Sequence, residues 1–418
     1  MQSPEGSRDS EHFPFLAHVE VLPEWESAAQ RFLALGGVAM VLGAPDTGKS
    51  TFSRYLVYRT YLAGEPVALV DLDLGQSHLG PPATLGLGLF PPRRPGDDAL
   101  FPEGLYFIGQ TSPVGAILEV TVGCRVLVDL AARQGVGRVV VNTSGLVQGY
   151  AARKLKLSQA ELLQPSLIFA LQREQELAFL LRALGDETPG VDMSSAEAPP
   201  PLAGGGGGEG ELPPPPFISS PKTENPKPKT VSNDTTAWPL VKLPVSARVV
   251  PRSPIERRRY REQRFRRYFH QARRLTLPWR SLVWEGLPFG REEPEKPQDP
   301  RPFGENLEGR GGSGEPGESP RGASAAAGPQ DDPYLDPLAS LAGGSDPQPF
   351  WPDLHLSLVG LLSAARRTLA LGLILPDPGA PDLVALWTPL ASAAATQVRF
   401  IKVGQVKLNL EGQELPYV

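Results

Sequence analysis

The chain has 418 residues, a net charge of −5 and one cysteine. That length allows two or three domains of roughly 100–200 residues each. The acidic balance argues against a basic nucleic-acid coat protein, and a single thiol rules out a disulfide framework or a cysteine zinc cluster. Pro (47) and Gly (44) together make up about a fifth of the chain, against roughly an eighth in average usage, and their clustering marks the domain limits.

Residues 1–19 read as an N-terminal arm. Its opening, MQSPEGSRDSEHF, has no basic-then-apolar pattern, so no signal peptide is expected. No apolar run reaches the roughly 18–20 residues of a membrane span. A cytoplasmic protein without membrane contact is the expectation.

Residues 20–184 alternate short apolar runs with helical patterns. Val38–Leu42 is a predicted strand, followed by a loop and a helix over Thr51–Leu62. Val67–Asp71, Arg138–Asn142 and Ser166–Ala170 are further strands. Val114–Gln134, Ala151–Leu163 and Glu174–Leu184 are the helical segments between and after them. Strands alternating with helices imply a parallel sheet with crossover helices. Cys124 lies in the apolar run Thr121–Leu130 and reads as a plain buried thiol.

Residues 185–237 contain PPPLAGGGGGEGELPPPP, and residues 291–348 contain GRGGSGEPGESPRGASAAAG. Both have few large apolar residues, too little to offset the entropy of ordering them, and both are expected to be disordered. Between them, residues 238–290 hold a possible strand at Pro239–Val245 and an Arg-dense helix to about Arg274, read as the end of the core. Residues 349–418 contain Leu354–Leu362, Thr368–Leu375, Leu383–Thr388 and Val398–Leu410, short runs split by Gly, Pro and Asp. They predict a small β-rich C-terminal domain.

The chemistry starts at Gly43-Ala44-Pro45-Asp46-Thr47-Gly48-Lys49-Ser50, which matches GxxxxGK[ST] between a predicted strand and a predicted helix. Backbone N–H groups of such a loop curl round phosphate oxygens, with the helix N-terminus behind them. Lys49 should reach the β- and γ-phosphates and Ser50 should ligate Mg²⁺. Thr51 completes the nucleotide-binding set. An α/β P-loop NTPase that binds ATP and Mg²⁺ is the fold-level reading.

Asp71-Leu72-Asp73-Leu74-Gly75-Gln76 follows at the C-terminal end of the second strand, where ligand sites of open parallel sheets lie. One carboxylate can hold Mg²⁺ through water, and the other can accept a proton from an attacking hydroxyl. Gln76 is placed to orient a nucleophile or a metal-bound water. Of the five histidines, only His78 falls near this stretch. Further on, Arg252 to Arg267 is Arg-dense with only Glu256 and Glu262 in balance. Such a helix can close over ATP and lend an arginine to the moving phosphoryl group, or it can hold a nucleic-acid backbone.

With these residues in order, the chain resembles the polynucleotide 5′-hydroxyl kinases, the family of the pre-mRNA cleavage-complex kinase and the rRNA-processing kinase. GAPDTGKS, DLDLGQ, Thr111-Ser112-Pro113, VNTSG (Val141–Gly145) and the pair Arg252 and Arg257 carry the resemblance. LVGLLSAARRTLALGLI, LWTP and VRFIKVGQVKL resemble that family's C-terminal domain. The resemblance implies transfer of the ATP γ-phosphate to a 5′-hydroxyl end of RNA or DNA. It implies that Asp73 is the base, with Gln76 beside it, that Asp71, Asp73 and Ser50 serve the metal, and that Arg252 and Arg257 are lid arginines. Thr143-Ser144-Gly145 matches a clasp for the substrate end, and Thr111, Ser112 and Pro113 join the substrate side.

Two departures shape the expectations. The family's clasp usually ends in Trp, which would stack a base; here Leu146 stands there. Stacking on an aromatic contributes about 1–3 kcal/mol per base, so Leu146 favours a second reading, an ATP-binding RNA-processing adaptor with little transferase activity. The separate N-terminal β-domain of the eukaryotic cleavage-complex member has no counterpart, which predicts a stand-alone protein.

Overall fold

A computed structural model of the chain describes residues 19–90, 102–185, 238–286, 354–376 and 382–416. The N-terminal arm up to residue 18, the insertion from 186 to 237 and the linker from 291 to 348 lie outside them. The chain divides into two compact units after Arg261.

Unit one is built on β1 (Val38–Gly43), β2 (Val67–Asp71), β3 (Thr84–Phe90), β4 (Gly104–Phe107), β5 (Arg138–Asn142), β6 (Leu167–Gln172) and β7 (Leu240–Pro244). These form one sheet in the order β4-β3-β2-β5-β1-β6-β7. The helices are α1 (Pro23–Leu35), α2 (Lys49–Leu62), α3 (Ile117–Arg133), α4 (Gly149–Leu163), α5 (Ala178–Ala183) and α6 (Pro254–Phe269), the last of which runs across the division. Five strands, β2, β5, β1, β6 and β7, are parallel. The sheet is mixed rather than purely parallel, because β3 and β4 add an antiparallel edge. These two edge strands escaped the sequence reading: the connection from β2 to β3 contains no helix, so no helical pattern announces them.

Side-chain alternation along the central strands explains the layering. On β1, Ala39 and Val41 enter a core with Trp25, Phe32, Phe52 and Leu56 of α1 and α2. Met40 and Leu42 enter another with Leu180 and Leu181 of α5. On β2, Leu69 joins the first core, while Ala68 and Val70 pack with Val120, Cys124 and Leu127 of α3. A period-2 strand that is apolar at every position has both faces covered, which is why these runs read as continuously hydrophobic. Cys124 is buried and free, as expected, and burial pushes its thiol up to about 12.

Unit two carries a six-stranded sheet. Its strands are β8 (Arg273–Pro278), β9 (Val283–Glu285), β10 (Ser357–Ser363), β11 (Thr368–Leu375), β12 (Leu383–Thr388) and β13 (Val398–Lys407), in the order β8-β12-β11-β10-β13-β9. All pairs are antiparallel except β9 with β13. Helix α7 (Ser392–Ala395) precedes β13. Val359, Leu361, Ile374, Leu386 and Ile401 form its own core.

Two expectations are corrected here. The Arg-dense helix stops at Phe269 instead of about Arg274. Residues 273–285, grouped with the core in the sequence reading, belong to the second sheet. Arg273-Arg274-Leu275-Thr276-Leu277 alternates polar and apolar, and β8 pairs along its whole length with β12. That pairing outweighs the continuation of a helical Arg pattern. Among the described residues no helix is long and apolar enough to cross a membrane.

Candidate functional site

The site gathers at the carboxyl ends of β1, β2 and β5. The loop after β1 is tight. A Cβ on Gly43 would stand 2.5 Å from Thr47 Oγ1, 2.9 Å from the Leu171 carbonyl oxygen and 3.0 Å from Lys49 Cγ, so no larger residue fits without moving backbone. Lys49 opens α2 and is only 6% exposed. Its ammonium donates to the Ala44 carbonyl at 2.6 Å, and Thr47 Oγ1 donates to the same oxygen at 3.0 Å. Burial pushes the Lys49 ammonium down to about 8, against the pull of Asp73, Asp46, Glu176 and Asp71.

Parallel pairing puts Asp71 opposite Asn142, the last residues of β2 and β5. The Asn142 amide donates to Asp71 Oδ1 at 2.9 Å and to Ser50 Oγ at 3.1 Å. Asn142 thereby brings a carboxylate and the helix-opening hydroxyl to one point. Asp71 is buried, and burial pushes its carboxyl up. The His78 and Asp73 backbone N–H groups, Asn142 and the Ser77 hydroxyl, all donating to it, oppose that rise. His78 therefore enters the site through its backbone.

Asp73 is arranged differently. Its Oδ1 accepts the N–H groups of Gly75 at 3.1 Å and Gln76 at 2.9 Å. Its Oδ2 takes no hydrogen bond from the described residues, and the side chain is only half-buried. Asp71 is thus saturated by protein donors, whereas Asp73 keeps one oxygen open.

Gln76 was expected to face a nucleophile or water. Its amide is committed instead to the segment entering α6: Nε2 donates to the Arg257 carbonyl at 3.1 Å, and Oε1 accepts from Arg252 at 3.2 Å. Asp46 on the loop after β1 holds the same segment, accepting the Arg252 N–H at 3.2 Å and the Arg257 guanidinium at 2.5 Å. Tyr260 adds a hydrogen bond from its hydroxyl to the Ser77 carbonyl at 3.0 Å, with the Arg252 guanidinium 5.6 Å from its ring centroid. The pair Arg252 and Arg257 therefore stands over Asp46 and Gln76.

Of the residues expected on the substrate side, Thr111 puts its carbonyl oxygen 3.2 Å from where a Gly75 Cβ would be, so its segment lies beside Asp73 and Gln76. Ser112 is exposed and accepts the Val114 N–H, while Pro113 is buried. Thr143 and Ser144 turn inward. Thr143 Oγ1 donates to the Val41 carbonyl at 2.7 Å, and Ser144 accepts from the ammonium of Lys156 on both its carbonyl and its hydroxyl. A Cβ on Gly145 would stand 3.0 Å from Pro45. The loop after β5 thus offers its Gly145 backbone beside Pro45, while its hydroxyls serve the protein. Leu146 is partly buried against the core that contains α3.

The sequence reading missed Asn142, Ser77, Tyr260 and Lys156. Asn142 lies inside the motif VNTSG, but its partner is revealed only by the neighbouring of β2 and β5.

Residues 43–198 match a family model described as the mRNA cleavage and polyadenylation factor CLP1 P-loop. A polyribonucleotide 5′-hydroxyl-kinase of Pyrococcus abyssi is 35% identical over 155 residues, a stretch that covers 37% of this chain and 43% of that protein. A CLP1 homolog of Drosophila mojavensis is 28% identical over 193 residues, 41% of this chain and 43% of that protein. The chain therefore spans less than half the length of these curated relatives. A solved Clp1p–Pcf11p complex is similar in fold, with a TM-score of 0.54 at 9% identity, covering 92% of this chain and 79% of that one.

Proposed function

We propose, from the match of residues 43–198 to the CLP1 P-loop family model, that the protein is an ATP-dependent polynucleotide 5′-hydroxyl kinase acting on RNA or DNA ends in the cytoplasm. The observation that carries the reading is the open Oδ2 of Asp73, whose other oxygen accepts the N–H of Gln76, the residue that also binds Arg252 and Arg257.

The loop Gly43–Thr51 binds the ATP phosphates through its backbone N–H groups and Lys49. Asp73 Oδ2 takes the proton of the 5′-hydroxyl. The 5′-oxygen then bonds to the γ-phosphorus, the bond from that phosphorus to the β–γ bridging oxygen breaks, and ADP leaves. Arg252 and Arg257 supply positive charge where the phosphoryl group spreads negative charge over its oxygens. Ser50 Oγ and Asp71, joined through Asn142, would hold Mg²⁺, Asp71 through a bound water because protein donors already occupy both its oxygens. Mg²⁺, when bound, neutralises the phosphate charge. The loop Thr143–Gly145 and the segment Thr111–Pro113 border the place for the acceptor end.

The test is transfer of labelled phosphate from γ-labelled ATP to 5′-hydroxyl RNA and DNA oligonucleotides, run side by side. Labelled ends are the expected result; their absence with every oligonucleotide would overturn the kinase reading. Leu146 favours a second reading, an ATP-binding RNA-processing adaptor, because that loop position carries no aromatic face for a base. Tight ATP binding without transfer would support it.

A further inference from the structure

Lysine is among the side chains least often fully buried, since removing its charge from water is costly without a paired counter-charge. Lys156 on α4 is 0% exposed. Among the described residues its ammonium donates only to neutral oxygens: the Ser144 carbonyl at 2.9 Å and the Ser144 hydroxyl at 3.1 Å. Among the described residues no carboxylate forms an ion pair with it. Lys49 repels its charge and Asp73 attracts it, so the group lies within electrostatic reach of the site.

What those two bonds hold is a short bridge between strand and phosphate loop. At one end of the bridge, Asn142 reaches Ser50. At the other, Gly145 abuts Pro45. The loop after β5 therefore touches the phosphate loop on both flanks. Thr143 is pinned to β1 through Val41, and Ser144, the remaining link, is pinned by Lys156.

We propose that Lys156 is a positioning residue that clamps the Asn142–Gly145 bridge and through it holds the phosphate-binding loop in the shape that accepts a nucleotide. The role deepens the ATP-dependent reading above and concerns nucleotide grip, not the acceptor. A buried cation that serves packing alone would be replaceable by an apolar side chain of like length at no cost to binding.

The test compares the full chain with Lys156→Met and Lys156→Gln. Each is measured for ATP affinity by calorimetry, for thermal unfolding, and for amide hydrogen exchange over residues 143–146. Lys156→Met is expected to weaken ATP binding about tenfold and to speed exchange in the bridge, with a melting temperature equal to or above that of the parent. Lys156→Gln keeps N–H donors for Ser144 and is expected to recover part of the affinity. Unchanged affinity together with unchanged exchange overturns the proposal. So does an affinity loss that tracks an equal loss of thermal stability, which would make Lys156 a structural residue only. If the parent chain binds no ATP, the kinase reading falls and bridge exchange alone decides: faster in Lys156→Met supports the clamp, unchanged overturns it.

Discussion

Asp71 and Asp73 are two residues apart in sequence, and their surroundings divide the work. Asp71 is buried under four donors, while Asp73 spends one oxygen on two backbone N–H groups and leaves the other open. A group that must accept a proton needs a free lone pair, and of the two carboxylates only Asp73 has an oxygen that takes no hydrogen bond from the described residues. Asp73→Ala is therefore expected to lower the phosphate-transfer rate by about 10²–10⁴ while nucleotide affinity is kept, as single-turnover kinetics and ATP titration would read. A rate equal to the parent's would remove Asp73 from the base role. The sequence placed both carboxylates at a strand end. It left their roles open because burial and donor count depend on Asn142, Ser77 and the His78 N–H, which the turn after β2 and the neighbouring strand bring in.

At the scale of elements, α6 is where sequence and structure part most instructively. An Arg-rich run announces a charged helix, and Pro254–Phe269 is one. The number of arginines does not say which of them meet the phosphate loop. The resemblance singled out Arg252 and Arg257, and in the structure Asp46 and Gln76 bind that end of the segment. Arg257→Ala is expected to cost about 10²–10³ in transfer rate, the usual effect of deleting one electrostatic stabiliser. A variant at an exposed arginine such as Arg259 should leave the rate near that of the parent. Equal losses at both positions would mean that the helix acts through its overall charge.

On the scale of the whole molecule, each unit has its own sheet and its own core, so folding stability is a property to be read unit by unit. In unit one, burial pushes the Lys156 ammonium down from 10.5 to about 7, with Lys49 adding to the fall and Asp73 and Cys124 opposing it. Between those values the unfolded chain binds more protons than the folded one, so this group makes stability rise with pH. The burial penalty is fully present below about 7 and fades as pH climbs toward 10.5. Chemical denaturation should therefore find Lys156→Met most favoured over the parent at the acid end, with the difference shrinking from neutral to alkaline pH. A difference that stays constant with pH would show that burial does not lower the Lys156 ammonium below its unfolded value.

The phosphate loop, the strands Val67–Asp71 and Arg138–Asn142 and four of the C-terminal strands were legible because their signals are local: fixed glycine and lysine spacing, and short apolar runs between Gly, Pro and Asp. The sequence by itself therefore determined a P-loop core of alternating strands and helices, followed by a β-rich unit. Tertiary structure alone decided the antiparallel edge of β3 and β4, the transfer of β8 and β9 to the second sheet, and the meeting of Asp71, Asn142 and Ser50. It also decided the clamp of Lys156 on Ser144. Each of these depends on which strand lies beside which, and strand order follows from the packing of covered faces between residues distant in the chain.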